Sequence, residues 1–150
     1  MRRRTLRLLA ALFITTGSFH AAAADSNVGA ATCPGKTTIE INECLEQQAQ
    51  RAQARLDKYV KAASERYAED QPAVRLGIDA SEQAFEAYRE IECATVYENW
   101  KDGTIRVAAQ LGCMTEMADQ RTYTVWRNWL QFEDSTPPIL PEPTPTKSAR

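Results

Sequence analysis

The sequence predicts an all-α fold, a small antiparallel three-helix bundle with two disulfides. Three observations lead there. The middle of the chain is rich in Ala, Glu, Gln, Arg and Leu, all strong helix formers. Apolar residues recur in it at three- and four-residue steps, the spacing of a helix face, and no segment alternates like a strand. Four cysteines, Cys33, Cys44, Cys93 and Cys113, lie among these runs with no C-x-x-C pair.

The chain opens on MRRRTLR, with four arginines and no acid, followed by the apolar run beginning Leu8 to Phe13 and by Ala22-Ala23-Ala24. A basic start, a short apolar stretch and small residues before a cut form the pattern of a secretory signal. Cleavage is expected after Ala24. About a dozen apolar residues fall short of the roughly 20 that span a bilayer, so no membrane insertion of the mature chain is expected. Cleavage removes four basic residues and no acid, leaving 14 basic against 20 acidic residues and a formal charge of −6. An acidic domain does not seek nucleic acid and favours basic partners. The only histidine, His20, leaves with the signal, which removes His-based triads, most zinc sites and His-based pH switching from the mature chain.

Helix 1 is expected from the capping box Thr37-Thr38-Ile39-Glu40 to about Tyr67, with Ile41, Leu45, Ala49 or Ala52, Leu56, Tyr59 and Ala63 on one stripe. Pro72 suits the first turn of helix 2, which is predicted to end near Cys93 and to use Leu76, Ile78, Ala84, Phe85, Tyr88 and Ile91 as its apolar positions. Residues 94–103 read as a loop held beside Cys93. Helix 3 is expected from Thr104 to about Phe132. The helical domain is therefore placed at 25–132, with its folded body from Cys33. From 133 to 150 the chain carries Pro137, Pro138, Pro141, Pro143 and Pro145. Proline lacks the amide donor and clashes with the preceding turn, so this stretch is expected to be an extended, disordered tail.

An even cysteine count in an exported chain implies two disulfides, and four cysteines allow three pairings. In an up-down-up bundle all four gather at one pole. That geometry favours Cys33–Cys93 with Cys44–Cys113, and the pairing Cys33–Cys113 with Cys44–Cys93 is nearly as good.

Trp100, Asp102 and Trp129 are the candidates for partner binding. Trp100 and Asp102 lie in the expected rigid loop, and Trp129 lies near the end of the body as a possible exposed aromatic anchor. Trp126 is assigned to the core. Tyr88, Arg89 and Arg121 are read as structural, the arginines in ion pairs with acids such as Glu43, Glu90 or Glu92. Glu82, Glu86, Glu90 and Glu92 read as a solvated acidic face rather than paired catalytic carboxylates. With no nucleophile motif, phosphate loop or metal spacing, no catalytic residue, metal or cofactor is assigned and the chain is not read as an enzyme.

Cys33, Glu40 to Cys44 (EINEC), Leu56, Tyr59, Phe85 to Cys93 (FEAYREIEC), Asp102 to Arg106 (DGTIR), Cys113 and Arg121-Thr122 together resemble the lysozyme inhibitor LprI-like N-terminal domain family, over essentially the whole body. The resemblance implies a periplasmic or secreted helical domain and a protein partner, with lysozyme the named possibility. A structural or assembly role in the cell envelope is the alternative. Three departures stand out. The family usually has Gln near position 82, Trp at 85 and a Gly-Gly pair before the third helix, where this chain has Glu82, Phe85 and Asp102-Gly103.

Overall fold

The computed structural model describes residues 33–144. The expected signal at 1–24 and the last residues of the tail lie outside them. Three helices pack together with no strand among the described residues: α1 at Thr38–Arg66, α2 at Pro72–Asn99 and α3 at Arg106–Val125, continued by a π-helical turn at Trp126–Leu130. The three-helix bundle is as expected, with shifted ends.

α1 begins where the capping box places it. The Thr37 hydroxyl accepts from the Glu40 amide, and the Glu40 carboxylate accepts from the amides of Lys36 and Thr37 at 2.8 and 3.1 Å. Those two backbone donors hold the Glu40 carboxyl below its ordinary value. Ahead of the cap the chain reverses, with the Gly35 amide on the Cys33 carbonyl. A Cβ on Gly35 would come within 2.7 Å of the Ile41 side chain, so this close approach requires glycine.

The core is a stripe of Ala52, Leu56, Tyr59 and Ala63 from α1, met by Ile78 of α2 and by Ala118, Val125, Trp126 and Leu130 of the third helix. α3 packs most extensively on α1, and α2 touches α3 more than α1. Val125 and Leu130, five residues apart, are both fully buried, a spacing that the wider π turn brings onto one face. Arg66 closes this end by donating to the carbonyls of Trp129 and Gln131 at 2.6 and 2.9 Å. Cations near helix C-termini satisfy carbonyls that have no partner within the helix.

Three expectations are corrected here. The disulfides are Cys33–Cys44 and Cys93–Cys113, not either cross-pairing. The reversal before α1 carries Cys33 back onto the second turn of its own helix. Cys93 and Cys113 stand at similar distances on either side of the turn at 100–105, so they meet across the α2–α3 hairpin. The second correction concerns α2, which buries only part of the expected apolar set. Ile78, Phe85 and Cys93 turn inward, while Leu76, Tyr88 and Ile91 are exposed. α2 is also six residues longer than expected, reducing the loop at 94–103 to a short turn.

The third correction concerns the tail. Its described part, 133–144, is non-helical, as its four prolines require, but residues 139–143 dock on the body as a strap. The Ile139 amide donates to the Leu130 carbonyl at 3.0 Å. The Trp126 indole donates to the Leu140 carbonyl at 3.0 Å, and the Tyr59 hydroxyl to the Pro141 carbonyl at 2.7 Å. Leu140 packs on the core and Pro143 is buried. Buried indole and phenol groups need acceptors, and an extended segment has carbonyls to spare.

Burial holds the Tyr59 proton above the ordinary value of 10.0, opposed in part by Arg55. The unfolded phenol therefore ionises first, and the stability this group contributes is lost as pH rises above about 10. Tyr59→Phe is expected to cost about 1 kcal/mol, to free the strap and to flatten that alkaline loss. Limited proteolysis of residues 133–144, with thermal melts at pH 8 and above 10, measures all three.

Candidate protein-binding site

Two surfaces arise from the α2–α3 hairpin. The first is its turn. Trp100 caps α2, its amide bonding to the carbonyls of Val96 and Tyr97, and the Gly103 amide returns to the Trp100 carbonyl at 2.8 Å. Trp100 and Ile105 are left 45% and 50% exposed. Lys101, Asp102 and Thr104 border a hollow of about 520 Å3 that also touches Thr38 at the start of α1. Arg106 donates to the Lys101 carbonyl at 3.3 Å and lies over the Tyr97 ring at 5.1 Å. The hairpin turn and the start of α1 thus share one pole, each braced by its own disulfide.

The second surface is a groove of about 560 Å3 along the α2–α3 seam. Phe85, Val96 and Met117 give it apolar walls, with Tyr88, Glu92 and Glu116 among its other lining residues. The Met117 sulfur lies 3.7 and 3.8 Å from the sulfurs of Cys93 and Cys113. Two guanidinium groups lie near the Phe85 ring, those of Arg89 at 5.6 Å and Arg121 at 5.4 Å from its centroid. Arg121 Nε donates to Glu82 at 2.9 Å and its Nη2 to Ser81 at 2.7 Å. Arg89 donates to Gln53 of α1.

The residues singled out in the sequence thus fall at different places. Trp100 and Asp102 come together at the turn. Trp129 lies at the other end, partly buried on the core and edge-on to Tyr67 at 6.1 Å, so it does not offer the free aromatic face expected of it. Arg121 forms an internal ion pair, but with Glu82, which is buried rather than part of a solvated face. Arg89 uses an amide and a ring instead of a carboxylate. Tyr88 is 57% exposed on the groove. Sequence reading took Met117 only as an alternative to Met114 on the apolar stripe of helix 3 and missed Glu116; their spacing of three and four residues from Cys113 and Gln120 was the available signal.

The profile of the family described as lysozyme inhibitor LprI matches residues 30–125, well over half of the chain. The chain belongs to the LprI family. That match covers α1, α2 and α3 and stops at the π-helical turn, leaving the docked strap outside it. Neither a search of curated proteins nor one of solved structures finds a match. In this LprI-family chain, no helix among the described residues is long and apolar enough to cross a membrane.

Proposed function

We propose that this chain is an exported, non-enzymatic binding protein that inhibits lysozyme by occupying its surface. Membership of the LprI family is the observation that carries the reading. Two further features support it. Two disulfides suit an oxidising compartment outside the cytoplasm. The expected mature chain has a formal charge of −6, and lysozymes are commonly basic, so encounter is steered electrostatically.

The hairpin turn is the proposed contact. Trp100 presents a large, half-exposed ring from a short turn anchored by Cys93–Cys113, and a held aromatic binds with little loss of conformational freedom. Asp102 beside it suits a cationic neighbour on the partner.

The purified oxidised chain, residues 25–150, is expected to suppress lysozyme activity in a saturable way at micromolar concentration. Trp100→Ala should weaken inhibition about tenfold or more, with its melting temperature unchanged. Undiminished cell-wall lysis at those concentrations contradicts the reading.

A further inference from the structure

The groove along the α2–α3 seam has no part in the contact proposed at the turn. Its chemistry is mixed in an informative way. Phe85, Val96 and Met117 offer apolar surface, and methionine adapts its shape to what lies on it. Two carboxylates, Glu92 from α2 and Glu116 from α3, line it from different helices. Neither has an ion-pair partner among the described residues. Glu116 accepts only an amide hydrogen bond, from Gln120 at 3.3 Å. The cation that also lines the groove, Arg121, is already held by Glu82 and Ser81. Arg89, held by the Gln53 amide, adds one positive charge against the Phe85 ring, so the two carboxylates leave the groove net negative over an apolar surface, beside an exposed tyrosine ring.

We infer that the α2–α3 groove is a docking site for a basic, partly apolar segment of a partner protein. The match is one of charge and shape. A Lys or Arg side chain has an apolar stem and a charged head. Its stem suits the apolar surface of Phe85 and Met117, its head is attracted to Glu92 and Glu116, and Tyr88 offers a ring for the cation. At about 560 Å3 the groove exceeds the needs of one side chain and suits a short segment. The inference rests on the reading of this chain as a binding protein, and not on lysozyme being the partner.

The test is NMR of the oxidised chain, residues 25–150, titrated with an acetylated and amidated Leu-Arg-Leu-Arg-Leu peptide. A Leu-Gln-Leu-Gln-Leu peptide is the control. The Met117 methyl and the amides of Tyr88, Glu92 and Glu116 are expected to shift saturably with the arginine peptide and not with the glutamine peptide. Glu92→Gln combined with Glu116→Gln, both at exposed positions, should weaken binding about fivefold or more with the spectrum otherwise intact.

Three results would overturn the inference: no saturable groove shifts up to about 5 mM peptide, shifts centred instead on Trp100 and Asp102, or equal binding by the double variant. Lysozyme assays on the same samples separate the two readings. Groove binding in a chain that leaves lysozyme active supports the inference and removes lysozyme as the partner. Inhibition without groove shifts removes the inference alone.

Discussion

Arg121→Ala is expected to destabilise the fold by about 3–5 kcal/mol, the cost of stranding a buried charge. The Glu82 carboxylate has one oxygen on Arg121 Nε at 2.9 Å, and its other oxygen is buried without a hydrogen-bond partner. Both side chains are largely withdrawn from water, at 12% and 16% exposure. Removing the guanidinium leaves the carboxylate with neither solvent nor a cation. The Phe85 ring also loses one of the two cations near it. For a body of this size the melting temperature should fall by roughly 12 °C or more. The second half of the prediction isolates the cause. Glu82→Gln in the Arg121→Ala background should recover most of the loss, because a neutral amide is cheaper to bury than a charge. Glu82→Gln alone should cost far less than Arg121→Ala. Thermal unfolding of the three variants measures this, and equal losses in all three would refute the ion-pair account.

Loss of the Cys93–Cys113 bridge is expected to be nearly as severe. It closes a loop of 20 residues, worth about 3 kcal/mol in the chain-entropy model. Its position gives the loss a particular distribution. The bridge joins α2 to α3 just behind the turn that carries Trp100, with the Met117 sulfur against both sulfurs. Replacing both cysteines with alanine should therefore raise amide exchange from Ala94 to Arg106 well above that of the α1 core around Leu56. The Cys33–Cys44 bridge spans 11 residues and ties the chain only to the start of its own helix. Its removal should raise exchange in the first turns of α1 and leave the hairpin turn protected.

How much of this could be read in the sequence depended on how local the cause was. The start of α1 and most of its buried stripe were legible, Gln48 excepted, because its cap and its stripe are both encoded within a few positions of where they act. α2 was not. It carries two sets of apolar residues, Ile78, Phe85 and Cys93 on one side and Leu76, Tyr88 and Ile91 on the other. Periodicity finds both sets without saying which one meets a neighbour. Ending α2 at Cys93 also hid the symmetry of Cys93 and Cys113 about the hairpin turn, and the cross-pairings followed from that error. Arg121 found its acid 39 residues away in Glu82, a pairing set by helix register rather than by proximity in the chain. The strap was missed because its bonds use backbone carbonyls, which every sequence has. The telling feature was the pair of buried donors on Tyr59 and Trp126. Of the candidate contacts, Trp100 and Asp102 were recoverable from their place at a turn, whereas the groove needs both helices to exist.

The proposed function requires a translocated chain whose sulfurs fasten the hairpin locally. The most direct measurement is intact mass and non-reducing peptide mapping of the protein recovered from outside the cytoplasm. The expected result is a chain beginning at Asp25, with one bridge between Cys33 and Cys44, another between Cys93 and Cys113, and no free thiol. Four free thiols, a bridge between Cys44 and Cys113, or a chain that keeps residues 1–24 would contradict it.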